Sequence, residues 1–97
     1  MAAYQIAVCH ITNPTPEMKD YAAQSAKIVA SMGGEYLVRG PAAEVKEGEF
    51  LQGKVILMTK FPSMDDLQAF WASEEYNAIK HMRDGTGTYD IAIFEGA

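Results

Sequence analysis

Apolar residues follow two different periods along this chain, and the changes of period divide it into strands and helices. From Tyr4 to Thr12 they alternate or fall on β-branched residues, which predicts a first strand. From Pro16 onward they recur every three or four residues opposite a polar face, which predicts an amphipathic helix. The buried face of this helix would carry Met18, Tyr21, Ala22, Ser25, Ile28, Val29 and Met32.

Residues that start and stop helices mark the boundaries of the other elements. Thr15 before Pro16 suits a helix N-cap, and Gly33 suits the left-handed position after the last turn. Ser63 and Ser73 are predicted to cap two further helices, the second of which ends in basic residues. The remaining strands are predicted at Glu35–Arg39, Lys54–Phe61 and Thr88–Glu95, with a long acidic connection over Pro41–Gly53.

The resulting order, β-α-β-β-α-α-β, indicates an α+β, ferredoxin-like sandwich in which a four-stranded antiparallel sheet carries helices on one face. A chain of 97 residues suits a single domain of this kind, over residues 1–97. Both alternating rows of the first strand are mainly apolar, the row of Tyr4 and Ile6 as well as the row of Gln5 and Ala7. Because helices cover only one face of the sheet, we expect a homodimer that packs sheet on sheet.

Charge and cysteine content argue against several classes of partner. The chain carries 8 Lys and Arg against 13 Asp and Glu, a formal net charge of −5, and its basic residues are spread out. This composition disfavours nucleic acid and anionic membranes. The single cysteine, Cys9, excludes an intramolecular disulfide, and without metal-ligand spacing or a phosphate-binding loop we expect no metal and no cofactor. The first residues lack the features of a secretory signal, which predicts a cytoplasmic protein.

Several short motifs occur together over nearly the whole chain. They are Tyr4-x-Ile6-Ala7, Thr12-Asn13-Pro14, Gly33-Gly34-x-Tyr36-Leu37-Val38-Arg39-Gly40, Glu47-Gly48, Phe61-Pro62-Ser63, Ser73-x-Glu75-Tyr76, Arg83 and Glu95-Gly96. As a set they resemble the domain-of-unknown-function 1330 family, small bacterial members of the dimeric α+β barrel superfamily. The resemblance implies a ferredoxin-like subunit and a barrel-forming homodimer, and it brings no established reaction.

The sequence departs from the usual family pattern at a few positions. Asn13 stands where the family usually has Asp, Lys60 replaces an acidic residue, and Val55 lies near a usual Arg. Phe70-Trp71 stands in place of Trp-Tyr. The changes at Val55 and Lys60 alter the charge beside the expected cavity.

Two polar side chains near strand ends, His10 and Arg39, are the candidate catalytic residues. Arg39 has the rigid pair of donors that anchors a carboxylate or an enolate, although an ion pair with the loop residue Glu47 explains it equally. His10 carries an imidazole, the side chain best suited to proton transfer, and would serve as a proton shuttle, the alternative being a structural histidine of the core or rim. Tyr36 and Trp71 would form apolar walls for a ligand, or belong simply to the core.

Two classes of function remain open. In the first, the protein is a small-molecule binder or a cofactor-independent enzyme that uses a pocket between sheet and helices, by analogy with the superfamily. In the second, it is a non-catalytic dimer, a structural or stress-related module without a pocket. A polar-lined cavity that persists in the dimer would favour the first class, and a cavity filled by side chains the second.

Overall fold

The computed structural model describes residues 1–97 and contains the predicted elements in the predicted order. Its strands form one antiparallel sheet of order β2-β3-β1-β4, the arrangement of a ferredoxin-like fold. The elements are β1 (Ala3–Ile11), α1 (Pro16–Ser31), β2 (Glu35–Pro41), β3 (Val55–Phe61), α2 (Met64–Ala72), α3 (Glu74–Ile79), a 3-10 turn (Lys80–Arg83) and β4 (Gly87–Glu95).

The helix ends follow the predicted capping residues. The side-chain oxygen of Thr15 accepts a hydrogen bond from the backbone N–H of Met18 at 3.1 Å, and Ser63 and Ser73 cap α2 and α3 in the same way. Gly33 has a φ of +86°, the left-handed conformation expected after α1. No helix is long and apolar enough to cross a membrane.

The molecule has two layers, one sheet and one layer of helices, and measures 34 × 33 × 16 Å. Only 12 of 97 residues are buried, so the core is small. Its largest side chains lie where α2 and α3 pack on the sheet, and they include Phe61, Leu67, Phe70 and Tyr76.

The strand register divides the sheet into a helix face and a face without cover. On β1, the row that contains Ala3, Ala7 and Cys9 is buried beneath the helices. The opposite row has no covering element. This open face carries Tyr4, Ile6, Val8 and His10 on β1, flanked by Ile56 and Met58 on β3 and by Asp90, Ala92 and Phe94 on β4. It is mainly apolar, as the alternation predicted.

The connection between β2 and β3 contains no strand or helix. Its side chains include the exposed Phe50 and Leu51. The Lys54 ammonium lies 3.8 Å from the centroid of the Phe50 ring and donates a hydrogen bond to the Phe50 carbonyl. The loop therefore folds back on itself near its end.

Candidate functional site: a cleft between the sheet and the first helix

Small side chains leave a cleft between the helix face of the sheet and α1. Ala7 and Cys9 of β1 line its floor, and Ala22 and Ser25 of α1 line its roof. Helix α1 packs mainly against α3 and the 3-10 turn and makes few close backbone contacts with the strands. The inner chamber has a volume of about 70 Å³. It continues into a wider mouth of about 270 Å³ that reaches Ile11, Met18, Gly40 and Val55.

Arginine and tyrosine side chains dominate the polar lining of this cleft. Arg39 and Arg83 are the only arginines of the chain, and both line the chamber. The carbon Cζ of Arg39 lies 4.8 Å from the centroid of the Tyr36 ring. The same carbon of Arg83 lies 4.6 Å from the Tyr89 ring and 5.7 Å from the Tyr21 ring. A guanidinium stacked on a ring keeps the N–H donors at its edge free for a further partner.

No carboxylate neutralises these two cations. None of the 13 acidic residues lines the chamber, and the single ion pair of the chain joins Lys46 and Glu44 in the exposed loop. Glu47, the alternative partner considered for Arg39, makes no ion pair with it. Asp84 borders the outer side of Arg83 without pairing to it. The chamber is therefore positively charged within an acidic protein.

The tyrosine hydroxyls form a neutral, hydrogen-bonded lining. The hydroxyl oxygens of Tyr21 and Tyr76 lie 2.9 Å apart, as hydrogen-bond partners. Burial, and then the bond to Tyr76, raises the pKa of Tyr21 far above its ordinary value. Burial also raises the pKa of Tyr36, against the opposing charge of Arg39. Both phenols therefore keep their protons at neutral pH and act as donors or acceptors without charge.

A buried threonine holds the second arginine in place. The hydroxyl of Thr86 donates a hydrogen bond to the backbone carbonyl of Arg83, and it lies 2.6 Å from the Tyr89 hydroxyl. Because the Thr86 proton is used on the carbonyl, Tyr89 donates to Thr86. One hydroxyl thus fixes both the Arg83 backbone and the ring on which its guanidinium stacks.

Cys9 is a free, buried cysteine at the floor of the cleft. Burial of the thiol and the charge of Arg83, in the 3-10 turn, act on its pKa in opposite directions. Burial is the larger effect, so the pKa of the Cys9 thiol is raised. The neutral thiol is a small apolar group in the lining.

The structure brings together two of the four predicted site residues. Tyr36 and Arg39 both line the chamber. The prediction that His10 and Arg39 reach one rim is wrong. His10 is exposed on the open face, opposite Thr88, whereas Arg39 pairs with Leu57 on the helix face. The sheet therefore separates the two side chains within one chain.

Trp71, the fourth predicted residue, stands behind the chamber wall and does not line it. Its indole nitrogen donates a hydrogen bond of 2.6 Å to the side-chain oxygen of Gln5, which does line the chamber. Its ring also packs edge-on against Tyr76, at 5.2 Å between centroids. Trp71 therefore supports two residues of the lining.

Sequence reasoning missed Arg83, Tyr89 and Thr86. In the sequence Arg83 is one of the basic residues that end the third helix, and no local motif marks it, Tyr89 or Thr86 as part of a site. The sequence marks them only by composition, since the chain has just two arginines and five tyrosines. Both arginines and four of the five tyrosines of the chain line one chamber, whereas no lysine does. These residues lie on different helices and strands, so only the folded structure shows that they line one chamber.

A four-stranded antiparallel sheet, helices on one of its faces and a cleft between the layers define an α+β protein of the ferredoxin-like class. Within that class, the chain belongs to the family described as domain of unknown function DUF1330, whose model matches residues 2–97. The resemblance seen in the sequence motifs is thereby confirmed. No curated protein matches the sequence.

Solved structures share this fold at low sequence identity. A protein of unknown function from Rhodopseudomonas palustris is similar with a TM-score of 0.74 and 11% identity, over 99% of this chain and 82% of that chain. SnoaB, a cofactor-independent oxygenase from Streptomyces nogalater, is similar with a TM-score of 0.70 and 10% identity, over 99% of this chain and 93% of that chain. A provisionally assigned antibiotic biosynthesis monooxygenase from Nitrosomonas europaea is similar with a TM-score of 0.67 and 11% identity, over 97% of this chain and 97% of that chain.

Proposed function

We propose that this protein is a homodimeric small-molecule-binding protein whose cleft takes an organic anion with a flat, apolar body. One observation carries the proposal: both arginines of an acidic chain line a tyrosine-walled chamber that no carboxylate enters. Unpaired guanidinium groups are strong, directional donors to carboxylates and other oxyanions. The aromatic and aliphatic side chains beside them suit the apolar remainder of such a molecule.

The lining also limits the chemistry that the cleft can support. It contains no histidine and no carboxylate, so no side chain with an ordinary pKa near neutrality or below is available as a general base. The residues present would act by stabilising negative charge that develops on the bound molecule. We therefore propose that any reaction here is cofactor-independent and uses a substrate that has already lost its proton to water, so that the cleft binds and stabilises the anion. The similarity in fold to SnoaB, a cofactor-independent oxygenase, supports this direction.

Dimerisation would leave the cleft free. The open face with Ile6 and Val8 is the apolar surface that lacks a cover, and the chamber lies on the other side of the same sheet. A second copy on the open face would bury the apolar rows without filling the chamber. The alternative of a purely structural dimer has no comparable support, because side chains do not fill the space beneath α1.

Isothermal titration with 2-naphthoate, a flat monoanion, tests the proposal. We expect measurable binding that is lost with the neutral 2-naphthamide. The variant Ala22→Phe should abolish binding, because its ring occupies the cleft. The matched control Ala23→Phe, one residue along α1 and exposed, should bind as the wild type does. Equal binding of naphthoate and naphthamide, or unchanged binding in Ala22→Phe, would contradict the proposal.

A further inference from the structure

The two arginines lie at opposite edges of the sheet. Arg39 belongs to β2, one edge strand, and stacks on Tyr36 of the same strand. Arg83 comes from the 3-10 turn and stacks on Tyr89 of β4, the other edge strand. Two further strands, β3 and β1, lie between them. The cleft therefore has an arginine–tyrosine pair at each end.

The electrostatic surroundings of the cleft residues show the same separation. Arg39 acts on the pKa of Tyr36, whereas Arg83 acts on those of Tyr21 and Cys9. The floor between the two pairs is formed by uncharged side chains, among them Ala7, Leu57 and Thr59. The cleft thus consists of two cationic ends and an uncharged middle.

This spacing defines the length of a matching ligand. Adjacent strands lie about 4.8 Å apart, so three intervals place the backbones of β2 and β4 roughly 14 Å apart, and a ligand bound between the two arginine–tyrosine pairs lies within that span. A carboxylate paired in parallel with a guanidinium takes up roughly 4 Å of that span at each end. Acidic groups separated by roughly 6 Å or slightly more would reach both arginines at once.

From this geometry we infer that the ligand is a dianion, a flat molecule with an acidic group at each end, held by Arg39 at one end and Arg83 at the other. This inference rests on the proposed function, binding of an organic anion in the cleft, and adds the number and placement of the charges. Each guanidinium lacks a carboxylate partner within the chain and is a strong donor to an oxyanion. A dianion supplies one acidic group to each arginine.

Two matched probes test the inference, 2-naphthoate and 2,6-naphthalenedicarboxylate, which share one ring system and differ by one carboxylate. We expect the dicarboxylate to bind about ten- to hundred-fold more tightly at pH 7. In Arg39→Gln and in Arg83→Gln, the affinity for the dicarboxylate should fall to about that for the monocarboxylate. Lys27→Gln, which removes a cation from the exposed side of α1, should change neither affinity.

The outcomes separate the inference from the function on which it rests. Equal affinities of the two probes for the wild type would overturn the dianion and leave the anion site standing. Loss of dicarboxylate affinity in only one of the two arginine variants would also overturn the dianion and leave the anion site standing. If neither probe binds the wild-type protein, both the inference and the proposed function fail. Circular dichroism of each variant identifies loss of fold, and Arg83→Lys should restore part of the dicarboxylate affinity if charge at that end is what matters.

Discussion

At the scale of single residues, Thr86 connects stability to the candidate site. It is buried, and its hydroxyl joins the Tyr89 phenol to the Arg83 carbonyl. The arginine at the other end, Arg39, is exposed and has only the Tyr36 ring as a described support. The two ends of the cleft therefore differ in rigidity, and Arg83 is the better fixed of the two.

Replacing Thr86 by valine keeps the shape of the side chain and removes both hydrogen bonds. We expect Thr86→Val to lower the free energy of unfolding by about 1–3 kcal/mol, because two polar groups lose a buried partner. It should also weaken 2-naphthoate binding. Urea denaturation measures the first effect and titration calorimetry the second. Thr12→Val, at an exposed threonine just after β1, is the control and should be nearly neutral. Similar losses in both variants would contradict the role of the Thr86 hydroxyl.

The misplacement of His10 and the common face of Tyr36 and Arg39 each have a physical origin. Both rows of β1 are apolar, so alternation alone could not tell which row the helices cover. Strand β2 carries an irregularity in register between Tyr36 and Val38. In a regular strand Tyr36 and Arg39, three positions apart, would point to opposite faces, and the bulge brings them onto one. Bulges leave no dependable mark in a single sequence.

At the scale of elements, local signals predicted the helices well. Caps act within one turn, so Thr15, Ser63 and Ser73 could be identified without knowledge of the fold. The cleft could not be predicted in this way. It depends on how far α1 stands from the sheet, and that distance follows from side-chain volumes on several elements at once.

Ser73 offers a test at this scale because it joins α2 to α3. Its hydroxyl donates to the Phe70 carbonyl at 2.7 Å and accepts from the Tyr76 N–H at 3.2 Å. We expect Ser73→Ala to cost about 1 kcal/mol in thermal or chemical denaturation. Ser31→Ala removes an exposed hydroxyl bonded to the Ile28 carbonyl at the end of α1 and should cost less. An equal cost for both would show that the cap contributes nothing specific.

At the scale of the whole molecule, the thin shape and small core favour association. The subunit is 16 Å thick in its shortest direction, and one face of its sheet is apolar and uncovered. A second copy would supply the missing layer. An interface of this kind should bury at least about 1,600 Å² in total.

Sedimentation equilibrium at micromolar concentration measures the assembly. We expect a mass of twice the 10.6 kDa of the chain. Val8→Glu places a charge on the open face and should shift the equilibrium to monomer, whereas Gln24→Glu adds the same charge on exposed α1 and should leave the dimer intact. A monomeric wild type, or a dimeric Val8→Glu with an unchanged dissociation constant, would exclude this interface.

The alternation along β1 has a consequence for how such proteins can diverge. Odd-numbered positions such as Ala7 and Cys9 face the cleft, and even-numbered positions such as Ile6 and Val8 face away from it. A substitution at one set leaves the chemistry of the other side untouched. If the open face forms the proposed dimer, relatives can acquire new specificities in the chamber while keeping that assembly, and laboratory evolution can randomise the odd positions without disturbing it.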